Sequence, residues 1–428
     1  LARLKGLTVL PVPSAGLAHE ANALATVKAG REVGAGRVLG GALTREGTSI
    51  HASLSLVDAT QNRIVWGTQE KAVDDNLPRL ASSLARQAAK ALGAEPPRLY
   101  EYFKNLTGSS GVAASVDFTT ALGAIRVYDS AGALEATRSL VEAFPGEPDA
   151  RVLRTYALAL DAVEFGPSSP KRKLLEESIA TLALVDPNSP WDDVFHAKFL
   201  SRDTHYREAE RMFSEVLARD DLSPSERASV LSDRSDAEAS LSEAEAAEAD
   251  MREALRLDPV NDIIIRTFAQ VLMGQKRMDG ALERARQAVA LNPSSPWNRQ
   301  VLGDVLYHME RWEEAAAPLA RACELARSQT VCAYQAVALL MARQADEARV
   351  AAQHAASLPE SDQGTYNLAC YHALMGQRAQ ALRLLRRSLD LGPFDTDEVA
   401  DDAALFSLRG DPEFVALMDE ASRRYRRQ

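Results

Sequence analysis

The sequence predicts a mainly α fold, a superhelical solenoid of helix–turn–helix units preceded by a small α/β domain. Three observations predict it. Pro259, Pro293, Pro359 and Pro393 stand 34, 66 and 34 residues apart, the long gap being close to two periods. A fixed period of that length marks stacked helix hairpins, in which each unit covers the apolar face of its neighbour. Before residue 95 the pattern is different, with apolar and polar residues alternating in short runs, as in half-buried strands. The composition fits both parts: 46% hydrophobic, 25% charged and only 6% aromatic suits helices that approach closely over small side chains.

The amino-terminal part begins with the apolar run Leu7–Val12, closed by Pro11 and Pro13, and a helix over His19–Val33 that ends near Gly34 and Gly36. A strand candidate follows over Gly36–Leu43. In Ser49–Val57, Ile50, Ala52, Leu54 and Leu56 fall on one face, and His51, Ser53 and Ser55 on the other. Glu46-Gly47 turns the chain before this strand and Asp58–Asn62 after it. Arg63–Val73 is the next strand, with Trp66 at its centre. Leu77, Leu80, Leu84 and Ala88 keep helical spacing, so a helix over 75–92 packs on the sheet. Glu95-Pro96-Pro97 ends this domain, because paired prolines stop a helix.

From residue 98 everything reads helical. In a 34-residue frame, residues 262–295 place Ala269, Ala281, Ala285, Ala288 and Pro293 at positions 8, 20, 24, 27 and 32. Residues 296–328 place Gly303, Ala315, Leu319 and Ala322 at the first four of those positions. Residues 362–395 give Ala369, Ala381, Leu385 and Pro393, and residues 228–261 give Ala247, Met251, Ala254 and Pro259. Residues 329–361 agree through Ala348, Ala355 and Pro359. Earlier units are looser: Ala133 with Pro145, Ala209 with Phe213, and a unit over 148–189 that fits only with an insertion around Gly166–Lys173. About eight units span 98–395, and 396–428 is a capping segment holding a helix over Pro412–Tyr425.

Small residues at 8, 20 and 27, a large one at 24 and Pro at 32 make this array resemble the tetratricopeptide (TPR) repeat family. The resemblance implies a groove lined by positions 2, 5, 9, 12 and 13 of each first helix. Carried onto this chain, those positions include Ile263, Arg266, Gln270, Trp297, Gln300, Asp304, Tyr307, Gln363 and Tyr366. Aromatic rings beside Arg and amides suit a peptide. The Lys and Asn at positions 5 and 9 with which chaperone-binding TPRs clamp a terminal carboxylate are absent, since Arg266/Gln270 and Gln300/Asp304 stand there.

Gly36-Arg37-Val38-Leu39-Gly40-Gly41-Ala42-Leu43, then Ile50–Asp58, then Ile64-Val65-Trp66, resemble the small α/β domain related to the amino-terminal domain of TolB. That domain opens with a strand and a helix that would precede Leu1, so it is expected to be truncated here. In bacterial signalling proteins it sits between an effector domain and a TPR array. The resemblance therefore implies a regulatory or substrate-recruiting part of a serine/threonine kinase-like parent; adenylate cyclases and winged-helix transcription regulators share the layout.

Other classes of function find little support. The net charge is −11; residues 1–97 carry 11 Lys/Arg against 8 Asp/Glu, a net of +3, which leaves −14 for the solenoid. Such a surface is ill suited to a phosphate backbone, so no nucleic-acid partner is expected. Gly34–Gly41 is glycine-rich, but the order is helix, glycines, strand, and no Gly-Lys-Ser/Thr follows, unlike a phosphate loop. His19-Glu20 has Ala23 where a zinc-protease helix needs a second His, and no Ser/His/Asp or Cys/His arrangement has defensible spacing. Asp117-Phe118-Thr119 is not a kinase metal loop. No catalytic residue, metal ligand set or cofactor is expected. Cys323, Cys332 and Cys370 read as small packing residues; an odd count without a CxxC pair argues against disulfides and for a reducing, cytoplasmic setting. No stretch approaches the length of a membrane span. The first residues, Leu1-Ala2-Arg3-Leu4-Lys5, have neither Met nor a long apolar core and read as the start of a fragment rather than a signal peptide. The Ala/Glu run Ala237–Glu253 reads as a solvated helix face, and Arg423–Arg427 as a solvated terminus. The expected function is recognition of a protein or peptide in the solenoid groove. A ligand- or nucleotide-sensing module and self-association through the solenoid ends are the competing readings.

Overall fold

The structure, a computed structural model, describes residues 36–47, 49–61, 63–73, 77–92, 116–118, 120–121, 123–125, 129–162, 170–392 and 396–425. The expected elements over Leu7–Val12 and His19–Val33, the boundary at Glu95-Pro96-Pro97 and the first half of the insertion at Gly166–Lys173 lie outside those residues. The fold is a helical solenoid preceded by a small α/β region.

That region is an antiparallel sheet in the order β1 (Arg37–Glu46), β2 (Ser49–Asp58), β3 (Arg63–Val73). Gly47, at φ +63°, makes the first turn. The Asp58 carboxylate organises the second by accepting from the backbone N–H groups of Thr60 and Gln61 and from the Thr60 hydroxyl. Helix α1 (Leu77–Ala91) lays Leu80 and Leu84 on the Ile50–Ala52–Leu54 face of β2, the face that the alternation predicts. A bulge between Leu56 and Val57 breaks that alternation and lets both side chains be buried.

The first solenoid helix whose full bounds are described is α2 (Ser130–Ala143), and seven hairpins follow among the described residues. They are α3 (Pro148–Ala162) with α4 (Pro170–Val185), α5 (Trp191–Arg202) with α6 (Tyr206–Leu217), α7 (Pro224–Ser240) with α8 (Ala244–Leu257), and α9 (Asp262–Gly274) with α10 (Met278–Leu291). Then come α11 (Pro296–His308) with α12 (Trp312–Ala326), α13 (Gln329–Met341) with α14 (Ala345–Ala356), and α15 (Asp362–Leu374) with α16 (Arg378–Leu391). The chain closes with α17 (Thr396–Asp401), a 3₁₀ turn over Ala403–Leu408, and α18 (Pro412–Tyr425).

Local chemistry repeats with the period. Ser223, Asn261, Ser295, Ser328 and Ser361 each cap a first helix, the side-chain oxygen accepting an otherwise orphaned N–H of the first turn. Ser223 and Glu226 complete a capping box. Each hairpin from α5 to α16 then turns through one residue with positive φ: Thr204, Ser242, Lys276, Glu310, Arg343 and Gly376. Around Lys276 the Arg277 N–H reaches back to the Leu272 carbonyl, a Schellman closure that needs this left-handed residue.

The packing positions are sealed as the repeat frame requires. Ala247, Met251, Ala254, Ala269, Ala281, Ala288, Ala315, Leu319, Ala322, Ala348, Ala355, Ala369, Ala381 and Leu385 are all fully buried. Gly303 shows why position 8 must be small, for a Cβ there would lie 2.5 Å from Leu319 Cγ. Polar latches join successive units: buried Asn298 donates to the Asp262 carboxylate and to the Ala288 carbonyl.

The cysteines depart from expectation. Cys323 in α12 and Cys332 in α13 form a disulfide across the boundary between two units, with Cα atoms 4.8 Å apart. Nine residues separate them in sequence, but packing α13 on α12 brings their side chains together, which spacing alone did not reveal. Cys370 is free and buried, as a packing residue should be.

Candidate functional site: the inner groove

The first helices line the inner face of the solenoid, and their side chains meet across it. A cavity of about 690 Å³ lies between two walls. One wall is Tyr156, Ala159 and Leu160 of α3 with Phe195 and Lys198 of α5; the other is Ile263, Arg266 and Gln270 of α9 with Trp297, Gln300 and Val301 of α11. Tyr156 packs edge-on against Phe195, with ring centroids 5.0 Å apart, so the first wall is a fixed aromatic surface. On the second wall Ile263 is 47% exposed, although it is large and apolar. Gln300 Oε1 is buried without a hydrogen-bond partner in the protein, an acceptor that normally has one.

Five of the nine sequence-predicted residues, Ile263, Arg266, Gln270, Trp297 and Gln300, therefore converge on one cavity. The other four do not line it. Asp304 sits farther along α11, where burial raises its carboxyl to a pKa of about 8. The Tyr307 ring lies 5.3 Å from that of Tyr334, and burial, with help from Asp402, pushes its phenol up. Tyr366 donates to the Asp402 carboxylate at 2.6 Å, so its hydroxyl is held by the carboxy-terminal segment of this same chain. Gln363 donates to Asn367 at 3.2 Å along α15.

The α3–α5 wall was missed in the sequence because the 148–189 unit breaks the fixed period. With α3 starting at Pro148 and α5 at Trp191, Tyr156, Ala159 and Leu160 occupy positions 9, 12 and 13, and Phe195 position 5, so the same positional rule finds them. Between the walls the charges are mixed. Lys198 pairs with Asp233 of α7. One turn on, Asp236 has its carboxyl raised by burial and by Asp233, against the opposing pull of Lys198 and Arg266.

Helix hairpins at this period, sealed over small residues and lining a groove with their first helices, define a tetratricopeptide-type solenoid. No family model matches the sequence, and no curated protein is recognisably similar to it. Solved structures similar to it include the Cut9–Hcn1 hetero-tetramer of the APC/C, at 17% identity and a TM-score of 0.49, covering 73% of this chain and 56% of the chain matched there. The human IFIT1 dimer with PPP-AAAA matches at 12% identity and a TM-score of 0.48, over 76% of this chain and 79% of that one. TTC0263, a thermophilic TPR protein of Thermus thermophilus, matches at 21% identity and a TM-score of 0.34, over 39% of this chain and 92% of its own. Among the described residues no helix is long and apolar enough to cross a membrane.

Proposed function

We propose that this chain is a non-catalytic interaction module that holds a segment of a partner protein in the cavity between α3–α5 and α9–α11. The observation that carries this reading is the cavity itself. It has a fixed aromatic wall, an exposed Ile263 opposite, and the unpartnered Gln300 Oε1 ready to accept a peptide N–H. A groove that offers apolar area together with an orphan acceptor suits an extended chain, whose backbone donors and alternating side chains match both.

By its resemblance to TolB-like modules, the α/β region belongs to a bacterial signalling protein, and the solenoid recruits substrates or regulators to a kinase-like parent. β1–β3 with α1 is the part of that unit to which the resemblance applies.

The test is a peptide-library binding assay on the whole chain beside an Ile263→Glu, Gln270→Glu variant. Both side chains are exposed, so the variant keeps its helical circular dichroism. Peptides held by the parent chain and released at least tenfold by the variant support groove recognition. Equal binding by both, or none by either, overturns it, and a saturable rise in melting temperature with a nucleotide instead favours a sensing module.

A further inference from the structure

We propose that Cys323, Cys332 and His354 form a redox-gated zinc site at the junction between the α11–α12 and α13–α14 hairpins. The three side chains come from three helices: Cys323 from the last turn of α12, Cys332 from the first turn of α13, His354 from the last turn of α14. Their sulfur and ring-nitrogen atoms all lie within 4.8 Å of one another. Among the described residues this is the one place where three such ligand side chains converge. Both sulfurs are buried and the imidazole is exposed, so the site has a closed floor and an open mouth.

While the sulfurs are bonded to each other, neither is a thiolate, and only a thiolate binds the metal well. A dithiol reductant changes that. It gives two electrons and two protons to the S–S bond and leaves as a cyclic disulfide, and Cys323 and Cys332 become thiols. Thiols no longer bonded part to roughly 3.7 Å, which is also the sulfur–sulfur edge of a tetrahedron with Zn–S bonds of about 2.3 Å. Zinc then displaces the two thiol protons to solvent, forms two Zn–S bonds and one bond to the neutral His354 imidazole, and keeps a water in the fourth position at the open side. Two thiolates and an imidazole favour zinc over the hard, oxygen-seeking cations. The junction is clamped in both states, by the disulfide when oxidised and by the metal when reduced.

The experiment uses the full chain and cobalt(II) as a coloured substitute for zinc. Protein reduced with a dithiol and desalted without oxygen is titrated with cobalt beside untreated, oxidised protein. The expected result is one cobalt per reduced chain, with a thiolate-to-cobalt charge-transfer band that zinc abolishes, and no band in the oxidised chain. Cys332→Ser removes the band, and Cys370→Ser leaves it unchanged. His354→Ala, whose exposed side chain makes it the variant least apt to disturb folding, weakens binding at least tenfold. Reduced protein that takes up no cobalt, or a band that survives Cys332→Ser, overturns the site. Unchanged affinity in His354→Ala removes the histidine from it and overturns the proposal as stated.

Discussion

The Arg202 guanidinium lies 3.4 Å from the Asp362 carboxylate, although 160 residues separate them in sequence. Arg202 ends α5 and Asp362 begins α15, so the contact joins the second and the last hairpins of the array. The solenoid winds tightly enough to meet itself. With its arginine partly in solvent and a separation of 3.4 Å, this ion pair contributes on the order of 0–1 kcal/mol. Its consequence is therefore in shape more than in stability. Arg202→Glu is expected to increase the radius of gyration in small-angle scattering while shifting the urea midpoint hardly at all. An unchanged scattering profile would show that the winding holds without this contact.

The hairpin turns offer a stabilisation. Thr204, Ser242, Lys276, Glu310 and Arg343 all adopt φ between 58° and 67°, a range that costs a side chain with a Cβ. Gly376 occupies the equivalent place in the last hairpin without that cost. Lys276→Gly and Glu310→Gly are each expected to raise stability by about 0.5 kcal/mol, the relief of strain outweighing the greater freedom that glycine has in the unfolded chain. Urea unfolding with an unchanged slope measures it. A loss in both variants would mean that the side chains contribute more than the strain removes.

Position 8 offers the opposite result. Gly303→Val would drive its Cβ into Leu319, which is fully buried and has nowhere to move. Overpacking of this kind costs about 1–3 kcal/mol. The loss should appear as a lowered melting temperature, and Leu319→Ala in the same chain should recover part of it by opening the space.

Glu238 makes stability depend on pH. It is buried on α7, where burial first and Asp250 second raise its pKa to about 7, against the pull of Arg234. Arg234 is held at 2.7 and 2.8 Å by the Asp250 carboxylate, and so only partly serves Glu238. The folded chain thus binds this proton more tightly than the unfolded chain, whose Glu pKa is near 4.5. The penalty for the buried charge is absent below about pH 4.5, grows as pH rises and is complete above about pH 7. Glu238→Gln should nearly match the parent chain at pH 4.5 and exceed it by roughly 3 kcal/mol at about pH 8. A stability difference that stays flat across that range would place the charge in water.

The elements whose residues set their own geometry were legible in advance. The alternation in Ser49–Val57 placed Ile50, Ala52 and Leu54 against α1, and the helix over Pro412–Tyr425 has the bounds that the sequence implied. The small residues at Ala269, Ala281 and Ala288 fixed where helices cross, because each repeat needs only its neighbours to bury them. The groove was legible in part. Ile263, Arg266, Gln270, Trp297 and Gln300 share one cavity, but Tyr156 and Phe195 on its far wall come from a stretch that breaks the period.

By itself the sequence determined the period, the helix hairpins, the three strands along the chain and the buried face of Ser49–Val57, since these follow from spacing within about one repeat. Only the tertiary structure decided that Arg202 meets Asp362, that α3 faces α9 across the cavity, and that Cys323, Cys332 and His354 converge. The reason is cumulative. Each repeat turns on the last by a small angle set by side-chain packing, and contacts made several repeats later depend on the sum of those angles, which no local pattern carries.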